Sequence, residues 1–137
     1  MSDLPSGVGP HATEEVDVRV AHALWLAGDP IVDVRTEQEY VAGHIAGALN
    51  VPLDRLAFDL ADLPPGQVLT VCSMGNRSRQ GADRLARLGR TALSLRGGTK
   101  AWAAAGFPIA TGTEPGPRRR SRGVVAALRR MARRATR

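Results

Sequence analysis

Six consecutive residues, Cys72-Ser73-Met74-Gly75-Asn76-Arg77, place a nucleophile and a permanent cation at the two ends of one short loop. The thiolate, not the thiol, is the reactive form of cysteine, so the chemistry depends on whether the loop favours an anion. Val68-Leu69-Thr70-Val71 reads as a buried strand that runs directly into Cys72. Ser78 to Leu88 reads as a helix with Ala82, Leu85, Ala86 and Leu88 inward and Gly89 as its stop. Cys72 therefore falls where a strand's C-terminal end meets a helix N-terminus, the usual ligand edge of an open α/β sheet. Successive backbone N–H groups in such a loop can turn inward as an anion nest, assisted by the helix dipole. Gly75 permits backbone angles that other residues resist. Arg77 offers a fork suited to oxyanions, and Ser78 is placed to cap the helix. The competing reading is an inert, buried structural cysteine with Arg77 merely solvated, since a lone cysteine is most often that.

The surrounding elements are those needed to hold such a loop. Val18, Ala21, His22, Trp25 and Leu26 recur at helical spacing in a run that begins near Glu14 and ends at Gly28-Asp29-Pro30. Ile31-Val32-Asp33-Val34 is a buried strand. Thr36 then caps a short helix with Glu39 three residues on, closed by Gly43. Ala48 to Val51 is a weaker strand, and Leu53 to Leu63 forms one or two short helices ended by Pro64-Pro65-Gly66. Ala92 to Leu95 is another strand, followed by Gly97-Gly98 and a last helix over Thr99 to Ala105. Short apolar strands alternating with helices predict an α/β sandwich with a mostly parallel sheet.

Three groups of residues, in this order and spacing, resemble the rhodanese-like family of single-domain type. Asp33-Val34-Arg35, Glu39-Tyr40, Gly43-His44-Ile45, Gly47-Ala48 and Asn50-Val51-Pro52 look like its N-terminal signature. Val71 to Ser78 looks like its active-site loop. Leu95-Arg96-Gly97-Gly98, Ala101-Trp102 and Ala105-Gly106-Phe107-Pro108 look like its C-terminal signature. The resemblance implies a three-layer sandwich with a central, mostly parallel sheet of about five strands and helices on both faces. It also implies a sulfurtransferase of the thiosulfate:cyanide type. Cys72 would take the outer sulfur of a sulfane donor such as thiosulfate and hold it as a persulfide. Ser73, Met74, Gly75, Asn76 and Arg77 would bind the substrate, and a thiol or cyanide would accept the sulfur. The chain has a single cysteine, so the acceptor must come from outside. Cysteine-based phosphatases related to this fold cradle phosphate with one loop residue more, which makes phosphatase activity a weaker alternative. Arsenate reduction is weaker again without a partner thiol. A non-catalytic or protein-dedicated sulfur-relay or regulatory module is the main competing function. Members acting on thiosulfate often carry a basic residue after the cysteine, where this chain has Ser73.

Asp33 reads as a structural ion-pair or loop-fixing residue, and Arg35 as a residue of the pocket rim or a structural partner. His44 reads as a structural residue in a turn, without a triad partner. Trp25 and Trp102 read as packing. Three histidines and one cysteine lack metal-ligand spacing, and no cofactor is called for.

Of the 137 residues, positions 1–12 read as a disordered lead-in, 13–110 as the domain, 111–117 as a linker and 118–137 as a basic amphipathic tail. Residues 1–116 hold ten Lys and Arg against thirteen Asp and Glu, a net of −3, while residues 117–137 hold nine Arg and no acid. The overall charge of +6 is thus a property of one terminal segment. Val124, Val125, Leu128, Met131, Ala132 and Ala135 share one side of a helical wheel and arginines the other. This pattern suits peripheral contact with an anionic membrane; nucleic acid and a partner protein are weaker candidates, and a solvated extension is the plain alternative. No apolar run is long enough to span a bilayer and no secretory signal opens the chain, so a cytoplasmic location is expected.

Overall fold

The computed structural model describes residues 14–118. The lead-in over 1–12 and the basic tail beyond Arg118 lie outside the described residues. In chain order the elements are β1 (Glu14–Val16), α1 (Val18–Ala27), β2 (Ile31–Asp33), α2 (Glu37–Ala42), β3 (His44–Ile45), β4 (Leu49–Asn50), α3 (Leu56–Asp59), β5 (Val68–Val71), α4 (Asn76–Arg87), β6 (Ala92–Leu95), α5 (Gly98–Ala104) and β7 (Ile109–Ala110). Short 3-10 turns at Leu53–Arg55 and Leu60–Asp62 flank α3.

The central sheet is five-stranded and parallel, in the order β1-β6-β5-β2-β4. A parallel sheet covered on both sides requires strands that are apolar on both faces, and all four residues of β5 are buried. Strand alternation sorts them. Leu69 and Val71 join Trp25, Tyr40 and Trp102 in one core, which α1, α2 and α5 cover. Val68 joins Val32, Val34, Leu56 and Leu85 in the other, under α3 and α4. This is the expected α/β sandwich. Trp25 and Trp102 are core residues as read, and each indole N–H is satisfied by a carbonyl: Ala46 at 2.7 Å and Pro108 at 2.8 Å.

The caps follow the sequence closely. Thr36 and Glu39 form a capping box at the start of α2. Gly28, at φ 95°, ends α1 in the left-handed conformation. Three local expectations are corrected. Glu14–Val16 is a strand rather than the start of the first helix, because β6 supplies a pairing edge that three residues cannot advertise by period. Ala86 and Leu88 are exposed: the inward face of α4 runs through Ser78, Gly81, Ala82 and Leu85, and those two positions fall off it. His44 lies in β3, paired antiparallel with β7, and is buried.

The stretch 111–117 is held against the domain. Gly112 N–H donates to the Val41 carbonyl at 2.9 Å, and Gly47 N–H donates to Pro115 at 2.7 Å. The two ring nitrogens of His44 face the Tyr40 carbonyl (2.8 Å) and the Glu114 and Pro115 carbonyls (3.1 Å each). Among the described residues no helix is long and apolar enough to cross a membrane.

Candidate active site

Strand β5 ends at Val71, and the alternation of its side chains turns Cys72 toward the α4 side of the sheet. The cysteine is buried, with 2% of its surface exposed. Gly75 adopts φ 119°, and its amide N–H donates to Cys72 Sγ at 3.0 Å. Burial pushes the thiol up in pKa. The hydroxyl and amide of Ser78 and the amides of Gly75 and Met74 more than offset it, so the net shift is downward from an ordinary thiol. The loop therefore favours the nucleophilic form by hydrogen bonds directed at sulfur.

Ser78 reads from sequence as a helix cap; Gly75 is the N-cap instead, and Ser78 sits inside the first turn of α4. Its fully buried hydroxyl lies 3.6 Å from Cys72 Sγ, 2.8 Å from Ser94 Oγ and 3.1 Å from the Gly75 carbonyl. With a neutral thiol, sulfur donates to Ser78. With a thiolate, the direction reverses: Ser78 turns its one proton from the Gly75 carbonyl to sulfur while it accepts from Ser94. A hydrogen bond to a charged group contributes about 1.5–3 kcal/mol, so Ser78→Ala is expected to slow alkylation of the Cys72 thiolate at neutral pH roughly ten- to a hundredfold. The loss should shrink as pH rises and the thiol ionises unaided. A pH series of iodoacetamide alkylation rates read by mass spectrometry checks this; a pH-independent loss would deny Ser78 its role at sulfur.

Helix α5 holds the loop from the other side. Thr99 N–H and Oγ1 donate to the Cys72 carbonyl at 2.8 and 3.1 Å, and Lys100 N–H donates to the Ser73 carbonyl at 3.2 Å. These bonds tether the first two loop carbonyls to α5. They require Gly98, at φ 60°: a Cβ there would lie 2.4 Å from the Cys72 oxygen. The sequence offers Gly97-Gly98 as part of the C-terminal signature but assigns neither Gly98 nor Thr99 a role at the cysteine loop.

Arg77 leaves the loop toward α2. Its guanidinium grips Glu39 with two bonds, 2.7 and 3.0 Å, and reaches Ser73 Oγ at 3.3 Å. Arg77 chiefly, with Thr36 assisting and burial opposing, holds the Glu39 carboxyl at about 2. Glu39 thus serves both the capping box and the loop; only the first role was legible. The pair's stabilisation is full above the ordinary carboxylate range and is lost as pH falls from there toward 2. Both side chains are more than a third exposed, so Glu39→Gln is expected to cost less than about 1 kcal/mol at neutral pH. Acid unfolding followed by circular dichroism should lack that component in the variant.

The remaining predicted residues divide. Met74 is 65% exposed at the loop tip, and Asn76 Oδ1 accepts from Arg79 at 2.9 Å. Asp33 is the structural partner expected, gripping Arg35 through bonds of 2.7 to 3.1 Å, while Arg35 also donates to the Gly43 carbonyl at 2.6 Å. Arg35 nevertheless lines a cleft of about 230 Å³ with Ser73, Thr99, Lys100 and Ala103, beside the Cys72 loop. No group of His, Cys, Asp and Glu among the described residues could hold a metal ion.

This strand–loop–helix constellation has relatives. The rhodanese-like domain profile matches residues 15–105. The chain belongs to the rhodanese-like domain family. Thiosulfate sulfurtransferase 16, chloroplastic, of Arabidopsis thaliana is 37% identical over 107 residues, covering 68% of this chain and 89% of that protein. An HTH-type transcriptional regulator of Mycobacterium tuberculosis is 38% identical over 89 residues, covering 63% of this chain and 39% of the regulator. The crystal structure of a rhodanese-related protein from Thermoplasma volcanium superposes with a TM-score of 0.66 at 24% identity, covering 74% of this chain and 99% of that one. The last likeness establishes the rhodanese fold. The first ties the domain to sulfurtransferase relatives.

Proposed function

We propose that the protein is a sulfurtransferase that carries sulfur on Cys72. The reading rests on one observation above others: the sulfur of the chain's sole cysteine receives the amide of Gly75 and faces the Ser78 hydroxyl at a strand–helix junction. The Cys72 thiolate attacks the outer sulfur of a sulfane donor such as thiosulfate. A new S–S bond forms at Cys72, and the donor's S–S bond breaks with its electron pair leaving on sulfite. An external thiolate or cyanide then attacks the terminal persulfide sulfur and returns Cys72 as thiolate. The loop amides that favour the thiolate also favour the anionic persulfide. Arg77, tied to Glu39 and Ser73, fixes the loop and contacts a donor oxyanion only by releasing part of that grip. Lys100 brings positive charge to the cleft beside Ser73, where the charge of Arg35 is matched by Asp33.

A protein-dedicated relay or regulatory module is the second reading, favoured by the relative that is a transcriptional regulator. Mass spectrometry after incubation with thiosulfate separates the two. A one-sulfur gain, followed by thiocyanate on adding cyanide, supports the enzyme. Loading from a protein persulfide but not from thiosulfate supports the relay.

A further inference from the structure

A second cleft, of about 460 Å³, lies between α2, β4 and the 3-10 turn after α3. Three carboxylates line it: Glu37, Asp59 and Asp62. Asp59 is paired with Arg55 at 3.3 Å. Glu37 and Asp62 have no ion-pair partner among the described residues, and no cation lines the cleft. Leu49 is the half-buried apolar residue of its wall, while Tyr40, Val51 and Leu63 back it from the buried core. A cleft with three carboxylates suits a basic ligand rather than a small anion.

The chain carries such a ligand and delivers it to this place. Thr113 and Pro115 themselves line the cleft. Three residues later, Arg118 lies in an adjoining cleft that shares Leu49 with the first, and donates to the Asp29 carbonyl. The first of nine tail arginines is therefore already bound on this side of the domain. Nineteen residues follow it, eight of them Arg and none acidic. At roughly 3.3–3.6 Å per extended residue, or 1.5 Å per helical one, they can turn back over the cleft with length to spare. A groove formed by Leu53, Ala57 and Leu88 has the single carboxylate of Asp54 beside Arg84 and Arg87, and offers the segment no comparable negative charge. We infer that residues 119–137 dock on their own domain, placing arginines against Glu37, Asp59 and Asp62. The tail is then withheld from external polyanions until one of them competes for it.

The test uses the full chain. A nitroxide is attached through Met131→Cys in a Cys72→Ser background, and amide signals are read by NMR. Docking broadens residues 37 and 59–62, with signals falling roughly twofold or more at low salt and recovering in about 0.5 M salt, where charges are screened within a few ångströms. The added substitutions Glu37→Gln, Asp59→Asn and Asp62→Asn should abolish the broadening and should tighten binding to mixed phosphatidylcholine/phosphatidylserine vesicles. Broadening that spreads evenly over the surface, or that survives neutralisation, overturns the proposal. So does broadening of an unlabelled isotopic copy by a labelled one, which would make the contact intermolecular. Equal vesicle affinity with and without the three carboxylates would assign the tail to the lipid surface instead.

Discussion

Cys72→Ser is expected to lose both the sulfur mass gain on exposure to thiosulfate and the thiocyanate released by cyanide, with the fold intact. Serine differs by one atom, keeps the volume class of the site and can still accept from Gly75 N–H, which donates to sulfur at 3.0 Å. It cannot replace the chemistry. A serine hydroxyl is not ionised near neutral pH by the hydrogen bonds that suffice for a thiol, and an oxygen cannot carry a sulfane sulfur as a stable persulfide. The loss should therefore be complete rather than graded, because no other cysteine exists to take over. Near-ultraviolet circular dichroism and the thermal midpoint should match the parent closely, as expected for a small, buried, nearly isosteric change. Residual loading of the variant would place the nucleophile elsewhere and remove Cys72 from the proposed reaction.

What the sequence disclosed and what it concealed have different physical origins. The strand before Cys72 was legible because β5 is buried on both faces and reads as an unbroken apolar run. The cap at Thr36 was legible because its geometry is local: Thr36 and Glu39 satisfy each other within one turn. Concealed features depend on partners that only the folded chain brings together. Arg77 finds Glu39 across 38 residues, and Thr99 finds the Cys72 carbonyl across 27. Ser78 looked like a helix cap because its spacing from the strand was right. One turn of helix moved its hydroxyl inward to Ser94 and the sulfur. The stretch 111–117 reads as linker by composition, yet its carbonyls meet Gly47 and the ring of His44, bonds that composition does not encode.

Gly98→Ala is expected to produce the largest loss of stability of any single methyl added near the loop, and to lower sulfur loading with it. Two costs combine. At φ 60° an L-residue is strained by roughly 1–2 kcal/mol. The added carbon would also lie 2.4 Å from the Cys72 oxygen and 2.5 Å from the Ser73 carbonyl carbon and oxygen. Those are backbone atoms of the loop itself and cannot swing aside as a side chain would. Relief requires α5 to retreat, at a further cost of about 1–3 kcal/mol. That retreat lengthens the Thr99 and Lys100 bonds to the Cys72 and Ser73 carbonyls and relaxes the amides aimed at sulfur. A displacement of about 1 Å at a reacting centre can lower a rate roughly a hundredfold. Gly89→Ala supplies the comparison, since Gly89 has φ 92° but nothing within 4 Å of the added carbon. It should carry the backbone cost alone and leave loading unchanged. Urea melts of both variants, paired with loading rates measured where both are folded, separate the two effects. If Gly98→Ala lost no more than Gly89→Ala in stability and kept the parent's loading rate, the tether between α5 and the cysteine loop would have no part in setting the sulfur's environment.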